Sequence, residues 1–588
     1  MAKVLFFAPF TDIWVHSQPE LAVALECANE GHQVTLLRCR GVLKQSCAAI
    51  ESAGVAQDSS NKSREQICQS CRQTVRLIDR FSTIRQCWIE DYFTGSDENW
   101  VEEKLSGLDL GSWKDFQVDG INVGQLATYE SILRHKLMAS DEITSVWGEY
   151  RATVRNCLVV QRTLSNYLAN ETVDRVVVYN HLYSVNRIAV QVAEARGIAW
   201  RSIHAGKNVK DMLQTISVIR TDHQDLLSAR SDLWRHWNDI PLVSEEVVSV
   251  EQYLEFLFTG YSAFVYSHSK SRKGSRHVRS FLGIEPEKRV LLATMASGDE
   301  RVAANSVGAI PEFSIDVSGE LFTSTEEWID FLVDFVSHQS DIHLVLRPHP
   351  REFANKRENQ SSRRLPDLLR ALAHNRNHVS VSLPEHPFGL YDLASITDVV
   401  LNTTSNAGLE MMALGLPVAS YSDSQLLSYP PEFNYVGQSE VGYRNAIQSA
   451  LQEGWSLQNS VKAFRFRAFQ FKSLSISLHD RIKDRNTLSP HRVLYGLRGR
   501  LGWRIPKSLL AGVRLCEVRQ QKSRLLHGTN LVEAIIKERD FDARGGEVQS
   551  RNAEDETESV RRALTRLCTR FLDNEPESLG WKMRQNLR

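Results

Sequence analysis

The stretch VVLNTTSNAGLEMMALGLPV, Val399 to Val418, contains a strand, a polar loop, a helix and the start of another strand. The apolar run VVLN leads into TTSN, and the helical segment AGLEMMALG follows it. Gly415 ends this helix because glycine tolerates the left-handed backbone found after helix C-termini, and Pro417 prevents the helix from continuing. The stretch therefore predicts one β–α–β unit, which is the building block of a parallel sheet.

The same alternation of strands and helices extends outward from this unit. It starts at GIEPEKRVLLATM, Gly283 to Met295, and its later segments are EEWIDFLVDFV, IHLVLR, LPDLLRALA, HVSVS and FGLYDLAS. The N-terminal half begins with a strand over Lys3–Phe10, a helix from about Ser17 to Glu30 that Gly31 ends, and the strand QVTLLRC. A second N-terminal unit comprises the segments DRVVVYN, IAVQVAEARG and AWRSIHAG. We therefore expect an α/β protein with two doubly wound, Rossmann-like parallel-sheet domains facing across a cleft.

The domain boundaries follow from changes in composition along the chain. We expect an N-terminal domain over 1–268, within which the weakly patterned region at about 63–168 is a helical insertion. The basic segment SKSRKGSRHVRS predicts a linker over 269–282, ahead of a second domain over 283–475. The remaining part, 476–588, is expected to be a basic, mainly helical and partly disordered extension, with a last helix near Val560 to Leu572.

The bulk composition excludes some classes of protein. The chain of 588 residues has a net charge of −1, which does not favour nucleic acid as a partner. No apolar run is long enough to span a bilayer, and the start MAKVLFFAPF predicts a buried strand rather than a signal peptide. We expect a cytoplasmic protein whose nine cysteines are mostly reduced. Cys39, Cys47, Cys68 and Cys71 leave two interpretations open, a structural zinc site or a set of small buried apolar residues.

The stretch LVLRPHPRE, Leu344 to Glu352, places two basic residues at the end of a predicted strand. Each precedes a proline, which favours an extended backbone, so Arg347 and His349 should project to the same side. Ligands of doubly wound sheets bind beyond the carboxyl ends of the strands. The pair therefore predicts a site for an anion or a nucleotide, and a polar loop without a ligand is the alternative.

The loop TTSN brings four polar residues, Thr403 to Asn406, to a helix N-terminus. Free backbone N–H groups, the helix dipole and the hydroxyls of Thr404 and Ser405 together make an anion site. A simple N-cap is the alternative, but it requires only one such residue. Glu410, one turn into the helix, is a candidate acceptor of hydrogen bonds from a ribose diol, or else a residue on a solvated face.

In these motifs the chain resembles the nucleotide-binding half of GT-B glycosyltransferases, over about Arg289 to Tyr421. It is most similar to the bacterial capsule and surface-polysaccharide group that includes Kdo-transferase-like enzymes. RPHP, TTSNAGLE, GLPV, ELFTSTEEWIDFLVDF and the loop TMASGDE carry the resemblance. In that family the His of the HP pair and the hydroxyls of the Ser/Thr loop contact the donor. The donor-binding set expected here is Arg347, His349, Thr404, Ser405, Asn406, Glu410 and Ser297.

The segment HSQPELAVALECANEGHQVT carries a second, looser similarity. Its spacing, from His16 and Pro19 to Gly31, Val34 and Thr35, is similar to the opening of inverting nucleotide-sugar transferases. In those enzymes this His is the base. Such a reaction must take a proton from an acceptor hydroxyl, and histidine is suited to that role. Asp12 is an equally admissible base, and whether the reaction inverts or retains stereochemistry is left open.

Candidate acceptor-binding residues follow two further N-terminal strands. The loop YNHLYSVNR supplies Asn180, His181, Tyr183 and Arg187, and His204 lies near the end of the next strand. These positions are expected to face the cleft because they lie at the carboxyl ends of their strands. Each is alternatively an ordinary loop residue.

The segment 481–524 is strongly basic, with twelve Lys or Arg residues against two acidic ones. Interleaved leucines and Trp503 make it a candidate for binding an anionic membrane surface. A helical hairpin packed on the second domain, or a nucleic-acid patch, is the alternative.

Together these features predict a glycosyltransferase that moves a sugar from a nucleotide-activated donor, CMP- or UDP-linked, to a growing or lipid-linked surface glycan. The glycan would be of the capsule, O-antigen or lipopolysaccharide type. The enzyme would be cytoplasmic, peripheral at the inner face of the plasma membrane, and would require no cofactor. The same fold admits a nucleotide-sugar epimerase or a CDP-glycerol-type glycerophosphotransferase. A non-catalytic glycan-assembly factor is the alternative from another class.

Overall fold

The structure is a computed structural model that describes residues 1–55, 59–81, 84–212, 214–219, 234–235, 237–260, 274–307, 321–354, 360–373, 378–402, 405–421, 430, 434–478, 529–536 and 552–587. The chain divides into two compact units. The first unit is drawn from 1–226, 302–311 and 471–543, and the second from 227–301, 312–470 and 544–588.

The first unit is built on a seven-stranded sheet among its described residues, in the order β13-β6-β5-β4-β1-β2-β3. Its strands are β1 (Lys3–Phe7), β2 (Gln33–Arg38), β3 (Arg85–Trp88), β4 (Arg175–Tyr179), β5 (Ala199–Ala205), β6 (Thr215–Ile219) and β13 (Ile476–Ser477). The five strands from β5 to β3 are parallel, and β6 and β13 pair antiparallel at one edge. Parallel strands are buried on both faces, and β1 has the continuous apolar sequence VLFF that this requires.

The helices of the first unit cover both faces of this sheet. They are α1 (Trp14–Asn29), α2 (Ala48–Ser52), α3 (Asn61–Phe81), α4 (Gly95–Ser106), α5 (Val123–Leu126), α6 (Tyr129–His135), α7 (Trp147–Asn170), α8 (Ser184–Glu194) and, from the C-terminal part of the chain, α18 (Thr529–Ile536). Gly31 has a positive φ after α1, as its position at a helix stop predicts. The region expected as a mostly helical insertion also contains β3, which pairs with β2 and widens the sheet.

The second unit is built on a six-stranded, all-parallel sheet in its described part, in the order β12-β11-β10-β7-β8-β9. Its strands are β7 (Arg289–Thr294), β8 (Ile342–Arg347), β9 (Val379–Val381), β10 (Val399–Asn402), β11 (Val418–Ser420) and β12 (Tyr435–Val436). The predicted fold class, two Rossmann-like parallel-sheet domains, is therefore confirmed.

The helices of the second unit include two from the C-terminal end of the chain. They are α9 (Ser244–Thr259), α10 (Ser275–Phe281), α11 (Gly298–Ser306, which begins in this unit), α12 (Thr325–Ser337), α13 (Leu365–Ala373), α14 (Leu390–Ala394), α15 (Asn406–Ala413), α16 (Glu440–Glu453), α17 (Leu457–Lys472), α19 (Ala553–Phe571) and α20 (Leu579–Asn586). Gly415, just after α15, has a φ of +87°, so the residue expected to end this helix has the left-handed backbone that requires glycine.

The division of the chain differs from the sequence expectation in three places. Helix α9, expected in the N-terminal domain, belongs to the second unit because its Glu251 forms an ion pair with Arg566 of α19. Part of the expected linker is helix α10, whose first residue, Ser275, donates a hydrogen bond to Glu575. Of the expected C-terminal extension, the described residues form mainly helices, of which α18 packs in the first unit whereas α19 and α20 pack in the second. These contacts join residues far apart in the sequence, so local composition could not reveal them.

Two sequence predictions lie outside the described residues, namely the basic segment 481–524 and Thr404 with its neighbour Thr403. In the described part of the chain, no helix combines the length and the apolar content that crossing a bilayer requires.

Candidate functional site

The carboxyl edge of the first sheet carries a column of stacked rings. The ring of His16, in the first turn of α1, stacks on Tyr179 at the end of β4, with centroids 4.4 Å apart and planes 19° apart. The ring of His204, near the end of β5, lies 6.0 Å from Tyr179 in a stacked orientation. The parallel pairing of β4 with β1 and with β5 brings these three residues to one edge. His16 and His204, two residues that the sequence singled out separately, therefore both stack on one tyrosine.

Both imidazoles of this column are uncharged at neutral pH. Burial, reinforced by the neighbouring His204, lowers the pKa of His16 to about 3. Burial and the nearby ammonium of Lys207 lower the pKa of His204 to about 4. Charging an imidazole costs more where water is excluded, and a second positive charge nearby raises that cost. The His16 ring makes no side-chain hydrogen bond within the described residues, and the residue is partly exposed. It is therefore in the form that accepts a proton.

Asp12, the other predicted base, lies in the loop before α1. Its Oδ1 accepts a hydrogen bond of 2.8 Å from the Ser70 hydroxyl of α3. These contacts do not decide between the two candidates, and both stay predictions.

The predicted acceptor residues of the β4–α8 loop turn inward. Asn180 has a positive φ of 61°, and its Oδ1 accepts a hydrogen bond from the Leu182 backbone N–H. The His181 ring lies 5.5 Å from the buried Trp200 ring. Burial lowers the pKa of Arg187, which packs in the first turn of α8. These three residues were expected to face the cleft as candidate acceptor-binding residues, and the structure buries all three within the first unit.

Tyr183, from the same loop, lies against the column instead. Its ring centroid is 6.0 Å from that of His16 and 5.7 Å from that of Phe10. Of the predicted acceptor residues, Tyr183 and His204 are therefore the ones that the structure brings to the column.

The carboxyl edge of the second sheet is charged rather than aromatic. Arg347 ends β8 and is buried, and its Nη1 donates hydrogen bonds of 3.0 and 3.1 Å to the carbonyl and hydroxyl oxygens of Ser382. Burial lowers the pKa of Arg347 to about 10, so it remains a cation at neutral pH. Partly exposed His349 caps the short 3-10 helix Pro350–Glu352, and its Nδ1 accepts a 3.3 Å hydrogen bond from the Arg351 backbone N–H. Arg347 thus anchors the end of β9, while His349 is held by the turn that follows it.

A buried ion pair that the sequence analysis missed fixes this turn. The Arg351 Nη2 donates to Asp299 Oδ2 at 2.6 Å, and its Nε donates to the Ser297 hydroxyl at 3.2 Å. Ser297 also donates a hydrogen bond to Asp299. Ser297, predicted as a donor-binding residue, is buried and engaged in this network. The motif RPHPRE and the loop TMASGDE, quoted separately from the sequence, are thus one structural element.

The first turn of α11 already has an anionic partner. The Gly298 backbone N–H, at the helix N-terminus, donates a 3.0 Å hydrogen bond to the carboxylate of Glu352. Helix N-termini attract anions, and here a side chain of the same unit takes that position.

Helix α15 starts at the predicted anion site. Ser405 is its N-cap, and its hydroxyl accepts a 3.3 Å hydrogen bond from the Ala407 backbone N–H. Asn402, at the end of β10, donates to the Ser405 carbonyl at 3.0 Å and accepts from Thr294 at 2.7 Å. Asn406 is exposed. The N-cap interpretation of Ser405 therefore holds, and the cap lies at the carboxyl edge with an exposed amide beside it.

Glu410 differs from both sequence interpretations, because it is neither on a solvated face nor open to a ribose. The Tyr253 hydroxyl donates to its Oε1 at 3.1 Å, and the Tyr391 hydroxyl donates to its Oε2 at 2.8 Å. Burial is the main cause that raises the pKa of Glu410. Both carboxylate oxygens thus accept hydrogen bonds from within the unit.

The four cysteines considered for zinc form no disulfide bond. Burial raises the pKa of Cys39, Cys47, Cys68 and Cys71 above the usual value of a thiol. Within the described ranges no group of three or more His, Cys, Asp or Glu side chains has the arrangement of a metal site.

Comparisons with known proteins give weak similarities of fold. No family model matches the chain, and no curated protein matches it. Among solved structures, KpsC of Thermosulfurimonas dismutans, a β-Kdo 2,4 transferase, is 14% identical and has a TM-score of 0.27, with 50% of this chain and 88% of that chain covered. The UDP-GlcNAc 2-epimerase of Neisseria meningitidis bound to UDP-GlcNAc is 12% identical, with a TM-score of 0.27 and coverages of 78% and 94%. Arabidopsis thaliana UGT89C1 complexed with UDP is 12% identical, with a TM-score of 0.27 and coverages of 85% and 99%. Scores this low assign no activity to the chain.

Proposed function

We propose that the protein is a glycosyltransferase that transfers a sugar from a nucleotide-activated donor to a hydroxyl of a glycan acceptor. The observation that carries the proposal is the uncharged His16 imidazole, stacked on Tyr179 at the carboxyl edge of the first sheet. A protein that only bound a nucleotide would not need a neutral proton acceptor at the carboxyl edge of its other sheet. A nucleotide-sugar epimerase or a glycan-assembly factor would also bind the donor, but neither has an acceptor hydroxyl to activate.

The donor would bind at the carboxyl edge of the second sheet. His349, at the end of the RPHP motif, would donate a hydrogen bond to a donor phosphate, as the family resemblance suggests. The N-terminus of α15 supports this assignment, because its Ser405 cap and exposed Asn406 lie beyond β10. The N-terminus of α11 is less suited to a phosphate, because Glu352 already provides a carboxylate there. We further propose a CMP- or UDP-linked donor.

The acceptor would bind the first unit with its hydroxyl on His16. The imidazole takes the hydroxyl proton, and the acceptor oxygen forms a bond to the anomeric carbon of the donor sugar. The bond from that carbon to the phosphate oxygen breaks, and the nucleotide leaves with the electron pair. A pKa of about 3 makes His16 a weak base, so proton transfer should accompany bond formation rather than precede it. All groups that this scheme requires are protein groups, and we expect turnover to survive EDTA.

The test is a panel of CMP-, UDP-, GDP- and CDP-linked compounds, screened first by thermal shift and then by calorimetry. We expect one nucleotide class to bind and its sugar to be transferred to a glycan acceptor. Donor turnover without any acceptor would instead favour an epimerase. Binding of CDP-glycerol with transfer of phosphoglycerol would favour the glycerophosphotransferase. Failure of every compound to bind would contradict the proposal.

We also propose that the acceptor is a growing or lipid-linked surface glycan and that the enzyme works at the cytoplasmic face of an anionic membrane. The support is the basic, Trp- and Leu-containing composition of 481–524. The described elements on either side of this segment, β13 and α18, both belong to the first unit. Attachment through the segment would therefore act on the unit to which we assign the acceptor.

The test of attachment needs a variant that keeps the folded C-terminal helices. Truncation after residue 484 would remove α18, which packs in the first unit, and α19 and α20, which pack in the second. Replacing six of the basic residues of 481–524 by Gln leaves those helices in place. We expect the native chain to sediment with anionic liposomes at low salt and to be released as salt rises, and the Gln variant to stay in solution. Equal sedimentation of the two proteins would contradict the proposal.

A further inference from the structure

Glu410 is the centre of a buried polar network that joins four helices of the second unit. It lies in α15 and accepts hydrogen bonds from Tyr253 of α9 and Tyr391 of α14, one on each carboxylate oxygen. Arg467 of α17 is the counter-ion, with its Nη2 4.0 Å from Glu410 Oε1. The same guanidinium lies 4.9 Å from the centroid of the Tyr253 ring. A single carboxylate thus fixes α15 against three neighbouring helices.

The Arg467 guanidinium has little besides this network to hold it. Its Nη1 donates to Gln470 at 2.8 Å, but its Nε and Nη2 have no hydrogen-bond partner among the described residues. A buried cation without full hydrogen bonding depends on its counter-ion. Loss of the Glu410 charge would therefore leave Arg467 uncompensated in the interior.

Helix α9 connects this network to the C-terminal helix α19. On one side α9 carries Tyr253, and on another it carries Glu251, whose carboxylate accepts hydrogen bonds of 2.6 and 2.7 Å from Arg566. Phe258, also in α9, lies 5.0 Å from Phe571 of α19 in a stacked orientation and packs edge-on against Tyr391 at 4.7 Å. Helix α9 thus contacts α19, and it also carries Tyr253 and contacts Tyr391, two members of the Glu410 network.

We propose that Glu410, Tyr253 and Tyr391 are positioning residues that fix the N-terminus of α15 for donor binding, and that α19 supports them through α9. This inference rests on the proposed function for its donor-binding part. The reason is mechanical. The N-cap Ser405 and the exposed Asn406 begin the same short helix that carries Glu410 one turn later. A helix of two turns has few contacts of its own, so its orientation is set by the groups that hold its buried face. Glu410 then acts on a phosphate through the helix, without touching the ligand.

The first test removes single hydroxyl groups. In Tyr253→Phe and Tyr391→Phe the ring remains and only one hydrogen bond to Glu410 is lost. Tyr435→Phe is the control, because its hydroxyl donates to Glu453 at 2.7 Å in the same unit and neither residue belongs to the Glu410 network. We expect amide hydrogen exchange in the first turn of α15 to accelerate by about tenfold in either test variant, as a lost hydrogen bond to a charged group implies. The control should exchange like the native chain.

The second test separates positioning from general stability. Glu410→Gln keeps an acceptor for one tyrosine, whereas Glu410→Ala keeps none. We expect the donor KM to rise by about tenfold in the Gln variant and further in the Ala variant, with kcat at saturating donor nearly unchanged. A residue that touched the reacting atoms would lower kcat instead. A fall in kcat at unchanged KM would overturn the positioning role.

The third test concerns α19 and uses two arginines of that helix. Arg566→Ala breaks the contact with Glu251 of α9, whereas Arg562→Ala breaks only an ion pair with Glu558 within α19. We expect Arg566→Ala to accelerate exchange in the first turn of α15 and Arg562→Ala to leave it unchanged. Equal effects of the two substitutions would overturn the link.

The exchange measurement needs no ligand, so it stands even if the chain binds no nucleotide. In that case the proposed function fails, while the positioning of α15 is still decided by amide exchange in the tyrosine variants with their control and in the two arginine variants. Unchanged exchange in α15 in both tyrosine variants would overturn this inference and leave the proposed function untouched.

Discussion

The carboxyl edges of the two sheets are built from different chemistry. In the first unit the edge carries the uncharged rings of His16, Tyr179 and His204. In the second unit it carries Arg347, hydrogen-bonded to the end of β9, and the buried ion pair of Arg351 and Asp299. The first sheet thus has neutral aromatic rings at its carboxyl edge, whereas the second has charged side chains that hydrogen bonds and an ion pair hold in place.

This difference indicates how two substrates would be divided between the units. A phosphate is bound best by rigid cations, hydrogen-bond donors and a helix N-terminus, all of which the second edge has. A sugar hydroxyl has no charge and needs a neutral proton acceptor, which the first edge has. The fold alone would not distinguish the two edges, and the division rests on their side chains.

The largest expected effect is that of His16→Ala on turnover. Loss of a general base typically lowers the rate by about 10²–10⁴-fold, and the donor affinity should remain at the native value. Steady-state kinetics at saturating donor and acceptor provide the measurement, with Asp12→Asn as the companion variant. Near-native turnover in His16→Ala together with a large loss in Asp12→Asn would move the base to Asp12.

The next largest effect is expected for the buried ion pair of Arg351 and Asp299. Arg351→Ala leaves Asp299 buried without its counter-ion, and breaking a buried pair in this way typically costs about 3–5 kcal/mol. Chemical denaturation, followed by fluorescence, measures this loss in the free energy of unfolding. The double variant Arg351→Met with Asp299→Leu removes both charges and should be much closer to native stability. A single variant as stable as the native chain would show that the pair contributes little.

Donor affinity should respond to His349 on a smaller scale. Removing one hydrogen bond to a charged ligand costs about 1.5–3 kcal/mol, which lowers affinity by roughly tenfold to a hundredfold. The control is His338→Ala, because His338 is exposed at the end of α12. Calorimetric titration with the nucleotide identified in the panel compares the two variants. If His338→Ala weakens binding as much as His349→Ala does, the assignment of the RPHP motif fails.

The smallest expected effect is a displaced pH profile. The pKa of His16 is lowered to about 3 and that of His204 to about 4, so both stay neutral as the pH falls through 6.5. The acid limb of turnover should therefore lie well below pH 6. In the unfolded chain the imidazoles of His16 and His204 bind protons near pH 6.5, whereas in the folded chain they do not. The free energy of unfolding should therefore decline as the pH falls from about 6.5 towards 4. An acid limb near pH 6.5 would indicate a base of ordinary pKa.

The sequence predicted most of the elements at the two edges because strands, helix stops and caps depend on local residues. Gly415 ends α15 with the expected positive φ, and Ser405 caps the helix that the quoted stretch predicted. Arg347 and His349 were also placed correctly at the end of a strand.

The partners of these residues were not predictable in the same way. Tyr179 meets His16 and His204 only because β4 lies between β1 and β5, and strand order is not written in any local pattern. Arg351 was visible in the quoted motif, but its partner Asp299 follows a different strand. Glu410 was expected to accept hydrogen bonds from a ribose diol or else to lie on a solvated face, and the two tyrosines that bury it come from other helices.

The central claim is that the proton is taken in the first unit and the phosphate is bound in the second. Its most direct test is a calorimetric titration of His16→Ala with the nucleotide that binds the native chain, combined with turnover of the same preparation. We expect His16→Ala to bind the nucleotide with native affinity although it has lost nearly all turnover. Loss of nucleotide affinity in His16→Ala, to the extent seen in His349→Ala, would contradict it.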